Sequence, residues 1–386
     1  MKPVLCVVGT RPNFIKMAPL LRAMQAHRPA VPAVLVHTGQ HYDLAMSARL
    51  FAALQLPEPA VNLEVGSGSH AWQTAEIMRR FEPLLDSLQP SAVLVVGDVN
   101  STLACALVAR QRAVPVLHVE SGLRSHDRSM PEELNRVLTD QIADRLYTTE
   151  RSAGRNLLQE GIAAERVCFA GNVMIDSLQH GLPSARNAHA TLRQHGANAA
   201  LLDQPQGYGV VTLHRPANVD DPLALRSLLG VLRDVAERLP LVFAMHPRTR
   251  SQIARFGLAG QLDHARLVTL PPQDYLEMLG LLAPARLVLT DSGGLQEECT
   301  ALGIACLTLR DNTERPITVV QGSNTLVGRD PAAIVRAVQA VLAGQGKGGA
   351  GGKGGASGTG ARMPEGWDGH AAERIVADLH AWLNPA

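Results

Sequence analysis

The side chains best suited to chemistry follow a short apolar run near residue 290 of this 386-residue chain. The run at 285–289 is typical of a buried parallel strand, and a Ser-Gly-Gly turn at 292–294 leads into a helix predicted to begin near Leu295. Backbone N–H groups at such a helix start bind anions. Glu297 and Glu298 follow within a turn, where they can accept hydrogen bonds from the hydroxyls of a sugar attached to that anion. The segment predicts a nucleotide-type ligand, with an ordinary strand–turn–helix connection as the alternative.

Charged side chains at other predicted strand ends add groups for phosphate binding and proton transfer. Arg11 and Lys16 follow the first apolar run, where they can contact phosphate oxygens. Asp98 follows a second apolar run, and capping of the next helix explains it nearly as well as catalysis does. Glu120 directly follows an apolar strand, a position that indicates a polar partner or substrate. Glu132 begins a helix after a proline, so the helix dipole is its alternative explanation.

Two histidines end successive predicted strands of the second half, at His214 and His246. One strand-end histidine is more often a hydrogen-bonded structural residue, but two in one sheet indicate a functional site. No H-x-x-x-H or cysteine–histidine cluster offers a metal site, no G-x-S-x-G motif is present, and the turn after the first strand is not G-x-G-x-x-G. The sequence therefore predicts no metal, no serine nucleophile and no bound dinucleotide.

Composition excludes several classes of partner. The net charge is +1 and aromatic residues make up 3%, which disfavours nucleic acid binding. No apolar run approaches the length of a membrane span, and the first run is too short for a signal peptide. The five cysteines are scattered without a C-x-x-C pair, as in a reducing compartment. These features predict a soluble cytoplasmic protein that does not bind membranes.

Short apolar runs alternate with amphipathic stretches along most of the chain. This alternation predicts an α/β fold with two Rossmann-like, doubly wound domains facing a cleft. The predicted boundaries are an N-terminal domain at 1–178, a linker at 179–205, a C-terminal domain at 206–343, a disordered glycine-rich loop at 344–362 and a final helix at 363–386. Ligands in such sheets bind beyond the carboxyl ends of the strands, where the charged residues above are predicted to lie.

The predicted strands are Val4–Val8, Ala33–His37, Ala92–Val96, Pro115–Val119, Leu146–Thr148, Val167–Ala170, Gly209–Leu213, Leu241–Met245, Arg266–Thr269, Arg286–Thr290, Ala305–Thr308 and Asn324–Val327. Helices are predicted between them, among others at Phe14–Ala26, Trp72–Leu88, Thr102–Arg112 and Glu132–Ile142. The polar, alanine-rich region between His180 and Gln206 breaks this alternation and is predicted to hold one short helix.

A series of segments gives the chain a specific resemblance. In order from residue 9 to about residue 328 these are GTRPNFIKMAPL, HTGQHYD, GDVNSTLA, HVESGLRS, MPEELNR, LHRPANVD, MHPRTR, LTDSGGLQEE and LRDNTERP. They closely resemble the non-hydrolysing UDP-N-acetylglucosamine 2-epimerases, and WDGHAAERI resembles the C-terminal helix of that family. The resemblance implies a glycosyltransferase-B type fold, with the final helix returning to the N-terminal domain.

The same resemblance implies an isomerase that interconverts UDP-N-acetylglucosamine and UDP-N-acetylmannosamine without a cofactor. In the family, loss of UDP gives an enzyme-held 2-acetamidoglucal, and UDP then adds back on the other face. A homodimer and a place in polysaccharide biosynthesis are also implied. Alternatives are a 2-epimerase of UDP-2,3-diacetamido uronic sugars, a hydrolysing epimerase that releases UDP and N-acetylmannosamine, a glycosyltransferase of the same fold, and a catalytically dead UDP-sugar sensor.

Matching the family's motifs assigns roles to individual positions. Acid/base and leaving-group roles fall on Asp98, Glu120, Glu132 and His214. Substrate or UDP binding falls on Arg11, Lys16, His246, Ser292, Gly293, Gly294, Glu298 and Arg315, with Glu298 on the ribose hydroxyls. A second, activating UDP-sugar site matches Gln40, His41, Gln73 and Arg215, and His246 also matches a position of that site.

Three departures from the family pattern bear on these roles. Asn13 stands where many members have Glu, and it shifts the resemblance towards exopolysaccharide relatives, some of which act on diacetamido uronic sugars. Pro216-Ala217 replaces a Glu before Asn218, which puts the activating site in doubt more than the chemistry. The glycine tract at 345–360 is unlike the usual short connection and is interpreted as a tolerated insertion.

Overall fold

The computed structural model describes residues 2–40, 50–346 and 362–385. The chain forms two compact units, Met1–His180 with Glu365–Ala386, and Gly181–Pro364. The C-terminal segment therefore belongs to the first unit. Most of the glycine-rich loop predicted at 344–362 lies outside the described residues. No helix in the described ranges is long and apolar enough to cross a membrane.

The first unit contains a parallel sheet whose strand order is β3-β2-β1-β4-β5-β6-β7. Its strands are β1 (Val4–Val8), β2 (Ala33–His37), β3 (Val61–Asn62), β4 (Ala92–Val96), β5 (Val116–Ser121), β6 (Arg145–Thr148) and β7 (Val167–Phe169). The β1 and β4 residues are buried throughout, as expected of central parallel strands covered on both faces. The two-residue β3 is the one strand of this sheet that the sequence did not predict.

Helices cover this sheet, and the last of them comes from the C-terminal segment. They are α1 (Arg11–Ala26), α2 (His70–Leu88), α3 (Asn100–Gln111), α4 (Pro131–Ile142), α5 (Arg151–Gln159), α6 (Val173–Gly181) and α15 (Ala371–Leu383). Asp176 accepts hydrogen bonds from the N–H groups of Ala371 and Ala372, which caps α15. Trp367 is fully buried and donates to the carbonyl of Thr149, so the segment before α15 is fixed to the sheet as well.

The second unit contains a parallel sheet ordered β10-β9-β8-β11-β12-β13. Its strands are β8 (Gly209–Thr212), β9 (Leu241–Ala244), β10 (Leu267–Leu270), β11 (Leu287–Thr290), β12 (Ala305–Thr308) and β13 (Asn324–Leu326). The predicted strands agree with these to within a residue at either end. In each sheet the strand that comes first in the sequence, β1 or β8, lies inside the sheet. The strands that follow it lie on one side, and a later strand, β4 or β11, pairs with its other side, as in Rossmann-like folds.

The helices of the second unit include two short ones that follow β8 and β12. They are α7 (Ala188–Gln194), α8 (Pro216–Val219), α9 (Pro222–Ala236), α10 (Pro247–Arg255), α11 (Tyr275–Leu282), α12 (Gly293–Leu302), α13 (Pro316–Val320) and α14 (Pro331–Leu342). Several begin at a proline. Proline has no N–H, but an N–H at this position would have no partner within the helix, so no hydrogen bond is lost. Helix α12 begins at Gly293, two residues before the predicted start near Leu295, so both glycines lie inside its first turn.

The region predicted as a linker is packed into the second unit. It contains α7, as predicted, together with two 3-10 helices at Leu182–Ser184 and Ala199–Asp203. Ala188, Leu192 and Leu202 are buried in the same hydrophobic core as strand residues of the second sheet. A few well-spaced apolar residues in this polar segment are enough to dock it against that core.

Candidate active site

Polar side chains of the first unit gather where β1 and β4 end, at the point where the strand order reverses. Asn13, in the first turn of α1, accepts a hydrogen bond from the N–H of Thr10 at 3.1 Å and donates to the carbonyl of Val96 at 2.9 Å. Its side chain thereby joins the β1–α1 turn to the end of β4. Arg11, at the start of α1, lies on this turn and is half-buried. Its predicted contact with phosphate stays a prediction.

Glu120 and Lys16 form a buried ion pair in this unit. Glu120 lies at an irregularity in the pairing of β5 with β6, and its φ is +70°, in the left-handed region. That conformation costs about 1 kcal/mol at a residue other than glycine and persists only where surrounding contacts enforce it. The ammonium of Lys16 compensates the carboxylate's charge inside the protein. The structure thus gives Lys16 a carboxylate partner, whereas the sequence predicted phosphate.

Asp98 and Glu133 share one cation. The guanidinium of Arg136 contacts a carboxylate oxygen of each. Glu133 is buried and also accepts hydrogen bonds from the N–H groups of Ser125 and His126. Burial raises the pKa of Glu133, but the bond from Ser125 and the charge of Arg136 outweigh it, and the pKa is lowered. Glu133 is therefore a fixed carboxylate that positions Arg136 against Asp98.

Glu132 differs from its neighbour in its surroundings. It occupies the first turn of α4 and stays partly exposed, whereas Glu133 points inward. The helix N-terminus stabilises an acid at either position. Of the two, Glu132 keeps more access to solvent, and the acid/base role that the sequence assigned to it stays a prediction.

Two of the residues predicted for an activating site lie in one hydrogen-bonded cluster of the first unit. Ser101 donates to Gln40 at 2.9 Å, and Asn100 donates to Gln73 at 2.8 Å. Gln73 in turn donates to the carbonyl of Gly66 at 2.9 Å. His41 lies outside the described residues, and Arg215 belongs to the second unit.

In the second unit the corresponding reversal point lies between β8 and β11, where His214 meets Asp291. The Nδ1 atom of His214 lies 2.7 Å from Oδ1 of Asp291, which is completely buried. Asp291 also accepts hydrogen bonds from the N–H groups of His214 and Arg215 and from the amide of Asn218. Burial raises the pKa of Asp291, but the hydrogen bond and charge of His214 outweigh it, and the pKa is lowered. Asp291 is thus a permanent carboxylate that orients the imidazole ring.

The Ser-Gly-Gly turn lies directly after Asp291. Ser292 is the N-cap residue of α12, and its N–H donates to Thr290 Oγ1 at 3.0 Å. A Cβ on Gly293 would lie 2.4 Å from an oxygen of Glu314, so this carboxylate approaches the backbone closely. The first four N–H groups of a helix have no partner within it, which suits Gly293 and Gly294 to binding an anion.

Arginines surround Glu314 beside this turn. Arg310 lies 2.9 Å from one carboxylate oxygen, and Arg215 lies 3.7 Å from the other. Burial raises the pKa of Glu314, but the charges of Arg315 and Arg310 outweigh it and hold the pKa well below the usual range. A second buried pair lies next to it, with Nε of Arg315 at 3.0 Å from Glu297.

These contacts bear on the roles predicted for the acids of α12 and for Arg315. Glu297, which the sequence placed beside the sugar hydroxyls, is buried against Arg315. Glu298, one residue further, is also buried, and its assignment to the ribose hydroxyls stays a prediction. Arg315 has a carboxylate partner here, so its phosphate contact stays a prediction too.

The two histidines predicted to act in this unit are neighbours. The rings of His214 and His246 have centroids 5.5 Å apart and are tilted by 42°. His246 is exposed, and its Nδ1 accepts a hydrogen bond from the N–H of Arg248 at 3.2 Å, which caps α10. His246 therefore has a structural role at the helix start and still presents its ring edge beside His214. Across the described part of the chain, no three His, Cys, Asp or Glu side chains are grouped as metal ligands.

Comparison with known proteins assigns the family. A family model described as UDP-N-acetylglucosamine 2-epimerase matches residues 22–380, nearly the whole chain. The chain belongs to this epimerase family. As a member it is an isomerase-type enzyme, and its two parallel sheets with alternating helices form two Rossmann-like domains.

Individual relatives share both the sequence and the fold. The chain is 40% identical over 342 residues to the UDP-N-acetylglucosamine 2-epimerase of Methanocaldococcus jannaschii, covering 87% of this chain and 91% of the relative. It is 38% identical over 342 residues to the UDP-2,3-diacetamido-2,3-dideoxy-D-glucuronate 2-epimerase of Pseudomonas aeruginosa, covering 88% and 92% respectively. A crystal structure of the Methanocaldococcus jannaschii UDP-GlcNAc 2-epimerase, in complex with UDP-GlcNAc and UDP, superposes with a TM-score of 0.82 at 36% identity, covering 98% of this chain and 99% of that one.

Within this epimerase-family chain, the structure adds residues that the sequence interpretation did not assign. Asp291 holds His214, Arg136 holds Asp98, and Glu314 lies against the Ser-Gly-Gly turn. A signal for Asp291 was present, since an acid directly after a buried strand needs a partner as much as Glu120 does. The partners themselves come from distant segments, and residue spacing along the chain does not predict them.

Proposed function

We propose that the protein is a non-hydrolysing UDP-sugar 2-epimerase that interconverts UDP-N-acetylglucosamine and UDP-N-acetylmannosamine. The observation that carries the proposal is the pair of cation-matched carboxylates, Asp98 and Glu120, at the ends of the adjacent strands β4 and β5. Proton transfer at carbon 2 needs acid/base groups for both faces of the sugar, because the product differs from the substrate only in the hand of that carbon.

Chemically, the reaction begins with removal of the carbon 2 proton by a carboxylate. The bond between carbon 1 and the diphosphate oxygen breaks, a double bond forms between carbons 1 and 2, and UDP leaves with the electron pair. The intermediate is 2-acetamidoglucal. Re-addition of UDP at carbon 1 and delivery of a proton to the opposite face of carbon 2 complete the inversion. We assign the acid/base roles to Asp98, Glu120 and Glu132, because the carbon 2 proton is not acidic and requires a positioned base.

Departure of UDP requires stabilisation of the developing charge on the diphosphate. We assign this role to His214, which Asp291 orients. The N-terminus of α12 at Ser292, Gly293 and Gly294 would bind the phosphates. Arg11 and Arg315 would contribute cations, and Glu298 would accept hydrogen bonds from the ribose. In this proposal the acid/base carboxylates and Arg11 belong to the first unit, and the other nucleotide-binding groups belong to the second.

A related substrate is the second candidate. The relative from Pseudomonas aeruginosa acts on a diacetamido glucuronate, and it is nearly as similar to this chain as the N-acetylglucosamine enzyme is. Asn13 favoured this candidate at the level of sequence. In the structure the Asn13 side chain is occupied by Thr10 and Val96, so it acts on the turn that carries Arg11. The choice between the two sugars concerns the substituents at carbons 3 and 6, and the proposed reaction at carbon 2 is the same for both.

Product analysis on both sugars tests the proposal. Purified enzyme is incubated separately with UDP-N-acetylglucosamine and with the UDP-2,3-diacetamido uronic sugar, and proton and phosphorus NMR follow the products. We expect a mixture of carbon 2 epimers whose diphosphate stays esterified. Stoichiometric free UDP with free N-acetylmannosamine would show a hydrolysing enzyme, and no turnover of either sugar would reject the proposal. Turnover only in the presence of a sugar acceptor would show a glycosyltransferase.

Further parts of the proposal rest on resemblance to the family. We include a homodimer, a cytoplasmic location, a role in polysaccharide precursor supply, and activation by a second UDP-sugar at Gln40, His41, Gln73 and Arg215. Light scattering of the purified protein tests the dimer. A lag in turnover of UDP-N-acetylmannosamine that a trace of UDP-N-acetylglucosamine removes would support the activating site, and simple saturation kinetics without a lag would reject it.

A further inference from the structure

A buried row of charged side chains lies behind the turns that carry the proposed acid/base carboxylates. His118 on β5 and Asp140 on α4 both have no exposed side-chain surface. Asp140 also lies 2.7 Å from the buried Arg124, which reaches the exposed Glu160 at 2.6 Å. None of these residues is among those assigned to the reaction above. Burial of so many ionisable groups is costly unless their charges compensate each other.

Hydrogen-bond geometry fixes the charge of His118. Its Nδ1 lies 2.7 Å from Oδ1 of Asp140, and its Nε2 lies 2.8 Å from the carbonyl oxygen of Gly97. A carbonyl and a carboxylate only accept hydrogen bonds, so both ring nitrogens must donate. A protonated Asp140 with a neutral ring is the alternative. It is disfavoured because Oδ2 of Asp140 faces the guanidinium of Arg124 and accepts from the N–H of Gly122 at 3.0 Å.

The resulting imidazolium joins two turns with unusual backbone conformations. Gly97, whose carbonyl it holds, has a φ of +66° and directly precedes Asp98. Gly122, whose N–H is held by Asp140, has a φ of +78° and follows two residues after Glu120, which is itself at +70°. Glycine adopts a positive φ at little cost, so the strain lies at Glu120, where it persists only if surrounding contacts enforce it. The pair of His118 and Asp140 supplies one fixed contact to each turn.

We propose that His118, as an imidazolium held by Asp140, is a positioning residue that sets the placement of Asp98 and Glu120. His118 acts on these two carboxylates indirectly, through the turns at Gly97 and Gly122. The catalytic part of this inference rests on the proposed epimerase function, whereas the charge of the ring does not. Loss of the charge should lower kcat and leave KM nearly unchanged, since nucleotide-binding groups of the second unit are untouched.

Nitrogen-15 NMR of the histidine rings tests the charge on the free wild-type enzyme at neutral pH. The His118 signals are assigned by their absence from the His118→Gln variant. We expect both ring nitrogens of His118 to resonate as protonated. A neutral tautomer at His118 would overturn the proposal, whatever the activity of the enzyme. Because no substrate is added, this result is independent of the proposed function.

Asp140→Asn tests the positioning role. The amide can donate to Nδ1, so His118 should become a neutral ring that keeps its bond to Gly97 through Nε2–H. We expect kcat for epimerisation to fall about tenfold to a hundredfold, the scale of a misplaced catalytic group. Asp176→Asn is the matched control, because Asp176 is a buried carboxylate of the same unit that only caps α15.

The control should keep its kcat and the protonated His118 signals. A folded Asp140→Asn protein with wild-type kcat, or an equal loss in Asp176→Asn, would overturn the positioning role. If Asp140→Asn does not fold, the wild-type ring signals still decide whether the imidazolium exists. A wild-type enzyme with protonated His118 and no epimerase activity would reject the proposed function and the catalytic part of this inference, but not the charge.

Discussion

At the residue scale, Glu120 combines backbone strain, burial and charge at one position. Its φ of +70° and the pairing irregularity around it turn the side chain away from the regular alternation of β5. The ammonium of Lys16 meets the carboxylate inside the protein. An acid directly after an apolar strand predicted a polar partner from sequence alone. Which cation would fill that role depended on how α1 packs against β5, and the sequence does not show this.

Lys16→Met should therefore destabilise the protein by about 3–5 kcal/mol, because it leaves the buried carboxylate of Glu120 uncompensated. Urea unfolding measures the change. The double variant Lys16→Met with Glu120→Gln removes both charges and should recover most of that stability, while remaining inactive. Equal stability of the single and double variants would contradict the account of Lys16 as a charge-compensating partner.

Asp291 gives a second residue-scale prediction. Asp291→Asn cannot hold the ring of His214 in the same orientation and tautomer, so kcat should fall by about 10⁴-fold, as in the carboxylate–histidine pair of a catalytic triad. Because the two residues act as a unit, the double variant with His214→Gln should be hardly worse than either single variant. Steady-state kinetics on all three proteins, with circular dichroism as the check on folding, makes the comparison. Losses that simply multiply would show independent roles.

At the element scale, the strands were predictable because apolar runs flanked by turns mark central parallel strands. The end of each strand located Asp98, Glu120, His214 and the Ser-Gly-Gly turn. The pairing partners were not predictable, because Arg136 and Glu314 come from helices and loops that meet these turns only in the fold. The start of α12 was placed two residues late, since glycine is a poor helix former and the first turn is held by tertiary contacts.

Gly293→Ala tests the close approach at the start of α12. The added Cβ would meet Glu314 at 2.4 Å, and that carboxylate is held by arginines. We expect weaker UDP binding by calorimetry, by about tenfold, since a loss of about 1.4 kcal/mol corresponds to that factor. Gly230→Ala is the control, because Gly230 lies inside α9 with nothing within 4 Å of an added Cβ. It should bind UDP normally and gain about 0.8–1 kcal/mol of stability. Unchanged UDP affinity in Gly293→Ala would contradict the placement of the phosphates.

At the scale of the whole molecule, each unit carries its proposed site residues beyond the carboxyl ends of its central strands. The sequence predicted two such units, because the alternation of apolar and amphipathic stretches occurs twice. It placed the end of the N-terminal domain at residue 178, two residues before the first unit's main segment ends at His180, and assigned 179–205 to a linker. Ala188, Leu192 and Leu202 pack that segment into the core of the second unit, and three apolar residues in an alanine-rich segment are a weak signal for such packing.

Buried carboxylates with lowered pKa values make stability depend on pH. The folded pKa of Glu314 lies below its ordinary value of 4.5, so the stability it contributes is complete above that pH and is lost as the pH falls through the folded value. The difference in unfolding free energy between wild type and Glu314→Gln should therefore shrink below about pH 4.5. Urea titrations at a series of pH values measure it. A difference that stays constant through the acid range would contradict the assignment of Glu314 as an arginine-stabilised carboxylate.

Transfer of a proton at carbon 2 with loss and return of UDP is the central claim, and hydrogen exchange with solvent tests it most directly. The enzyme is incubated with UDP-N-acetylglucosamine in deuterated water, and NMR follows carbon 2 and the diphosphate. We predict deuterium at carbon 2 of both epimers, with the diphosphate still esterified and the exchange lost in a Glu120→Gln variant that remains folded. Epimerisation that retains the original hydrogen at carbon 2 would contradict the account.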